Sequence, residues 1–395
     1  MLAEKIAANL NRSSWIRAMF EAGEKLRAVH GNDNVFDFSL GNPDTEPPES
    51  VKEALKRLVM GDVPGIHRYM NNAGFMDVRE AVAGQLQRES GVPLAPEHIV
   101  MTCGAAGGLN VVLKAILNPG DEVIVLAPYF VEYLFYIDNH GGMPVVVNTS
   151  PETFQPDPQE IAAHITPRTR AVIINSPNNP TGVVYSEQSL QRMADLLTAK
   201  EKEYGSTIYV LSDEPYNKLV YDGIVLPQVL QVFQNSFVIN SFSKSLSLPG
   251  ERIGFIAVNP AMQDCKQIMD GLIFCNRILG FVNAPAMIQK AVAGSLGEAA
   301  EVDRYREKRD LLYNHLVKLG FSCIKPEGAF YLFPKALIPD DVEFAGIAQK
   351  YNLLLVPGKG FGWPGYFRLA YCVSLKTIEG SLPAFEALAA EILPA

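Results

Sequence analysis

Lys244 follows the apolar run Phe237-Val238-Ile239-Asn240, inside Ser241-Phe242-Ser243-Lys244-Ser245, and Arg252 comes eight residues later. Such an amine is either a solvated surface group or a nucleophile toward carbonyl carbon, and the second use requires neighbours that lower its pKa. Asp213 and Tyr216 stand in Asp213-Glu214-Pro215-Tyr216, where Tyr209-Val210-Leu211 ends. A carboxylate and a phenol at neighbouring strand ends can address the two ends of a heteroaromatic ring, although the tetrapeptide alone is an ordinary turn. Asn175-Ser176-Pro177-Asn178-Asn179-Pro180-Thr181-Gly182 closes another run, and Gly104-Ala105-Ala106-Gly107-Gly108 follows Ile99-Val100-Met101-Thr102. Small residues opening a helix let backbone N–H groups approach an anion, whose charge the helix dipole favours. This loop is neither a dinucleotide fingerprint nor a Walker loop, so alone it reads as a turn kept small for packing.

The elements that must position these residues show in the alternation of short apolar runs with helical patterns between His98 and Asn259. That alternation predicts an α/β unit whose largely parallel sheet is covered on both faces, and ligands of such sheets collect outside the carboxyl ends of the strands. All the motifs above lie where apolar runs end. From about Pro285 the pattern changes to one long charged helical stretch through Leu316, followed by short apolar runs and a terminal helix, which predicts a smaller α+β domain. The expected division is 1–45 as an N-terminal arm joined to the small domain, 46–285 as the large domain, and 286–395 as the small C-terminal domain.

The 395 residues are 48% hydrophobic and 19% charged, enough apolar material for a large core. A net charge of −9 without runs of like charge argues against nucleic acid and anionic membrane surfaces as partners. Five scattered cysteines, with no C-x-x-C pair, fit a reducing cytosol and no zinc site. Cys103, beside the glycine-rich loop, reads as a buried structural thiol. The N-terminus lacks a signal-peptide profile, and no stretch reaches the roughly 18 apolar residues of a membrane span, so a cytoplasmic protein is expected.

In combination, the order and spacing of these motifs resemble the class I/II aminotransferases, fold type I enzymes of the aspartate aminotransferase superfamily that use pyridoxal 5′-phosphate (PLP). The resemblance runs from Ser39-Leu40-Gly41-Asn42-Pro43 to Phe367-Arg368-Leu369 and includes Tyr69 with Gly74, Pro326-x-Gly328-Ala329-Phe330-Tyr331, and Val356-Pro357-Gly358. It implies that residues 46–285 bind PLP. Lys244 would bind it covalently and shuttle the proton, Asp213 would face the pyridine nitrogen, and Tyr216 and Asn179 would hydrogen-bond the phenolic oxygen. Gly104, Ala105, Ala106, Ser241 and Arg252 would hold the phosphate, joined by Tyr69 from a second subunit of a homodimer with shared active sites. Either Tyr129 or Phe130 would stack on the ring, with the family's spacing favouring Phe130. Arg368, assisted by Asn179 and the Gly41 backbone, would grip the substrate α-carboxylate.

The implied activity moves the amino group of an L-amino acid to a 2-oxo acid, with 2-oxoglutarate the expected acceptor, by a ping-pong mechanism through Lys244. Aspartate, aromatic and neutral donors all stay open. Ala105-Ala106 stands where some dicarboxylate-active relatives carry a lysine, and a second basic group could come from Arg12, Arg17 or a partner subunit. The alternatives are a PLP-dependent C–S β-lyase on the same fold, and a ligand-binding regulatory module of the kind found in transcription factors. The length and acidity of the chain argue against the latter.

Overall fold

Seven of the apolar runs pair into one sheet: β1 (Ile99–Thr102), β2 (Glu122–Ala127), β3 (Met143–Asn148), β4 (Thr169–Asn175), β5 (Tyr209–Asp213), β6 (Ser236–Ser241) and β7 (Gly254–Val258). The computed structural model describes residues 2–12, 14–61, 63–299 and 301–393, without the side chains of 11–18 and 20. Strand order is β1-β7-β6-β5-β4-β2-β3, and every pairing is parallel except those that β7 makes with β1 and β6. Alternate residues enter opposite cores: Ile124, Leu126, Val172 and Ile174 pack on one face, and Val123, Val125, Ile173 and Leu211 on the other. Burial on both faces is why these strands read as continuous apolar runs.

The reversed direction of β7 positions the site. Its first residue, Gly254, pairs with Thr102 at the end of β1 and with Ser241 at the end of β6. Arg252, two residues earlier, therefore arrives at the carboxyl ends of the parallel strands. The approach is close: a Cβ on Gly254 would stand 2.3 Å from the Asn240 carbonyl oxygen and 2.9 Å from the carbonyl carbon of Gly104. Gly104 opens helix α1 (Gly104–Ile116), and helix α2 (Glu132–Asn139) follows β2.

A second core gathers Phe38, Leu312, Phe344, Phe367, Leu369 and Phe385. It includes a three-stranded antiparallel sheet in which β10 (Phe367–Ala370) lies between β8 (Tyr331–Leu332) and β9 (Val356–Pro357). The expected long helical stretch is two helices, Ala286–Val292 and α3 (Val302–Lys318), because Gly294 and Gly297 interrupt the pattern. Ile288, Ala291 and Val292 pack into the large core. We therefore propose that the C-terminal unit begins after residue 292, not at 286. On α3, Arg309 is 0% exposed and donates to the Pro326 carbonyl at 2.9 Å, which ties that helix to the segment leading into Tyr331. Among the described residues, no helix is long and apolar enough to cross a membrane.

The packing at Gly254 yields a stability test. Gly254→Ala should lower stability by ~1–3 kcal/mol, since backbone atoms cannot yield as a flexible side chain would. Urea denaturation of the two proteins measures this directly; equal midpoints would show that the strand ends have room to move.

Candidate active site

A cleft of about 340 Å³ opens at the carboxyl ends of the sheet strands, between the two cores. Among the charged groups that line it is Asp213, which ends β5 and is buried. The Tyr133 hydroxyl donates to Asp213 Oδ2 at 2.5 Å, whereas Oδ1 is buried with no hydrogen-bond partner. Burial pushes this carboxyl up to about 7, against the lowering effect of the Tyr133 bond. An unpartnered buried acceptor beside a cleft suits a cationic N–H donor from a ligand. Asn175, at the end of β4, braces the same corner: its Nδ2 donates to the Asp213 carbonyl at 2.8 Å, and its Oδ1 accepts from the Asn179 N–H at 2.7 Å.

Lys244 enters from the short helical turn after β6. Its Nζ donates to the Gly41 carbonyl at 2.5 Å and lies 5.5 Å from the centre of the Phe330 ring. Burial lowers its pKa to about 8, and the positive charges of Arg368 and Arg252 act in the same direction while Cys372 opposes them. An amine so shifted exchanges protons near neutrality, as a nucleophile and proton carrier must.

Ala105, Ala106, Ser241 and Arg252 line the same cleft. The first-turn N–H groups of α1 have no partners within the helix, so this end combines free donors, a hydroxyl and a guanidinium. Gly104 lies under the Arg252 guanidinium, with a φ of +73°. Burial pushes the Cys103 thiol up, away from a reactive thiolate.

Arg368 is 4% exposed. On β10 the neighbouring Phe367 and Leu369 face the second core, so alternation turns Arg368 toward the cleft. Its guanidinium donates to Asn179 Oδ1 at 3.0 Å and to the Ser39 carbonyl at 2.6 Å, and lies 4.8 Å from the ring centres of both Tyr331 and Phe361. Nε is buried without a partner, a donor available to a bound carboxylate. Tyr216 shares a hydrogen bond of 2.9 Å with the Tyr331 hydroxyl. That hydroxyl fixes the identity of Gly41, where a Cβ would stand 2.0 Å from it.

Of the residues expected from sequence, Gly41, Ala105, Ala106, Phe130, Asn179, Asp213, Tyr216, Ser241, Lys244, Arg252 and Arg368 all line this cleft. Tyr129 instead packs against Gly362, leaving Phe130 as the aromatic on the cleft wall. Tyr69 is 92% exposed and does not line it. The side chains of Arg12 and Arg17 lie outside the described residues. Sequence reasoning missed Tyr133, the bracing role of Asn175, the hydroxyl contact of Tyr331, and Glu132. The one signal for Glu132 and Tyr133 was their place two and three residues past Phe130. An anion cradle and an unpartnered buried carboxylate oxygen in one cleft form a donor and acceptor set that fits a phosphorylated pyridine ring.

Comparison with known proteins agrees with this fit. A family model described as aminotransferase class I and II matches residues 33–384. A probable aspartate/prephenate aminotransferase from Thermus aquaticus is 35% identical over 88% of this chain and 89% of its own length. An aspartate aminotransferase from Thermotoga maritima is 32% identical over 94% and 96%. Among solved structures, an aminotransferase from Eubacterium rectale has a TM-score of 0.96 at 40% identity, covering 99% of each chain. Aspartate aminotransferase from Thermus thermophilus with maleate has a TM-score of 0.83 at 32% identity, covering 95% of this chain and 96% of that one. With a family match spanning most of its length, the chain belongs to the class I and II aminotransferases, enzymes that use PLP.

Proposed function

We propose that this aminotransferase moves the amino group of an L-amino acid to a 2-oxo acid in two half-reactions, with Lys244 carrying the proton and Arg368 gripping the substrate carboxylate. The observation behind this proposal is one cleft holding a lysine with a lowered pKa and a buried arginine with a free donor. PLP, when bound, supplies a ring that withdraws electrons from the carbon bearing the amine. Asp213 would hold a proton at the pyridine nitrogen, satisfying its own Oδ1. Tyr216 and Asn179 would hydrogen-bond the phenolic oxygen, Phe130 would cover the ring face, and Ala105, Ala106, Ser241 and Arg252 would hold the phosphate, with Gly104 beneath. The planar fork of Arg368 would fix rotation about the substrate Cα, so that the Cα proton faces the Lys244 amine.

Aspartate, named in the descriptions of the relatives above, heads the donor panel, with aromatic and neutral amino acids beside it. The acceptor panel sets 2-oxoglutarate beside oxaloacetate and pyruvate, so that acceptors with and without a distal carboxylate are compared. A C–S β-lyase would use the same two residues but release pyruvate and ammonia, which product analysis separates from amino transfer. We also propose a homodimer in which Tyr69 enters the cleft of a second copy. The full exposure of this aromatic, together with exposed Val59, Met60 and Met76, supports that arrangement.

Borohydride reduction followed by peptide mapping should locate the cofactor on Lys244, and Lys244→Ala should lack the long-wavelength absorbance of the purified enzyme. Modification of another lysine would sink the assignment. Arg368→Lys keeps the charge but loses the fork, so PLP content should stay normal while kcat/KM falls about 30-fold or more for every amino acid. Amines lacking a carboxylate should be nearly indifferent; equal losses for both classes would make Arg368 a structural residue.

Asp213 gives a pH signature. Its folded-state pKa is raised from 3.8 to about 7, so the folded chain holds a proton that the unfolded chain has released in that window. Stability from this group therefore declines as pH rises from about 4 to 7. The cofactor-free Asp213→Asn protein should melt higher than cofactor-free wild type at pH 8, with the gap narrowing at pH 5. The same substitution should cost most turnover in the loaded enzyme. A gap independent of pH would contradict the buried-charge account.

A further inference from the structure

We propose that Glu132 reads the substrate side chain, favouring one that ends in an N–H donor and opposing one that ends in a second carboxylate. The inference rests on the proposed grip of Arg368 on the α-carboxylate. Each other charge in the cleft has a use in that scheme: Arg252 for phosphate, Asp213 for the ring nitrogen, Lys244 for the proton and Arg368 for the substrate. Glu132 has none. It stands two residues past Phe130, in the first turn of α2, and lines the same cleft.

Its Oε2 is buried with no hydrogen-bond partner, so the bond from the residue's own backbone N–H leaves one carboxylate oxygen unsatisfied. The adjacent Tyr133 reaches Asp213, at the ring end of the cleft. Burial raises the pKa of the Glu132 carboxyl, its own backbone N–H offsets part of that rise, and the Arg368 guanidinium acts in the same lowering direction. A substrate held by its α-carboxylate on Arg368 and by its amine toward Lys244 has its side chain left to meet the remaining wall, where Glu132 stands. Among the described residues, no lysine or arginine other than Lys244, Arg252 and Arg368 lines the cleft, so the chain's described wall offers Glu132 and no further cation to a distal group.

Aspartate and asparagine differ only in that distal group, as do succinate and butyrate in theirs, which makes them the probes. In holoenzyme, E132Q should raise the aspartate/asparagine ratio of kcat/KM by about tenfold, the effect of removing one like-charge contact in a partly solvated cleft. It should tighten succinate relative to butyrate by a similar factor in calorimetric titration. E132A, which removes the amide as well, should move both ratios in the same direction. A rise below about threefold, or a fall, in either ratio overturns the proposal; a fall would mean that Glu132 positions a cation for the distal carboxylate. Butyrate binding to R368K isolates the underlying scheme. If R368K binds butyrate as tightly as wild type, the Arg368 grip fails, whatever E132Q does.

Discussion

A carboxylate buried at the end of a central strand is the constraint on which this structure turns. Asp213 sits where desolvation penalises its charge, and the protein satisfies one of its two oxygens. The Tyr133 phenol restrains the geometry without supplying the missing positive charge. Such a group costs the fold stability on its own, and a cationic N–H donor would offset that cost, which is what suits the corner to the protonated ring proposed above. Asn175 holds the strand end in place, and through the Asn179 N–H it fixes the neighbouring loop as well.

The sheet then determines what surrounds Asp213. Because β7 runs against its neighbours, Arg252 and the end of β6 meet the opening of α1 on one edge, and the close contact of Gly254 with the Gly104 backbone holds them there. Positive charge collected at that edge and at Arg368 contributes to the lowered pKa of Lys244, after the larger effect of burial. The lysine and the aspartate are thus displaced toward each other from opposite ends of the scale, and both can exchange protons near neutrality.

The sequence made the large sheet legible because strands buried on both faces are written as unbroken apolar runs, and the site motifs lie where those runs stop. Strand direction was not written there, since an apolar run is the same forwards and backwards. The small domain's strands of two to four residues are too short to carry a period, and only family motifs marked Tyr331 and Arg368. Glu132 and Tyr133 were illegible for a different reason. They open a helix crowded with aromatic residues, where a carboxylate looks like an ordinary first-turn acid, and only the tertiary structure brings both to the cleft wall and Tyr133 onto Asp213. Tyr69 could be assigned a role from resemblance alone, and its exposure gives it no contact with the cleft of its own chain.

The two cores meet through a closed circuit of polar contacts. Lys244 donates to the Gly41 carbonyl, Arg368 donates to the carbonyl of Ser39 two residues earlier, and the same guanidinium reaches Asn179 on the sheet side. A carboxylate docking on Arg368, as proposed, would compete with Ser39 and Asn179 for the same donors. Any shift of the 39–41 segment moves the acceptor that restrains the Lys244 amine. Freedom for that segment is limited by the Tyr331 hydroxyl packed against Gly41, and Tyr331 is itself hydrogen-bonded to Tyr216 and stacked under Arg368. The Arg368 guanidinium and the Lys244 amine are therefore linked through three residues of backbone, whose position is set where the Tyr331 hydroxyl packs against Gly41.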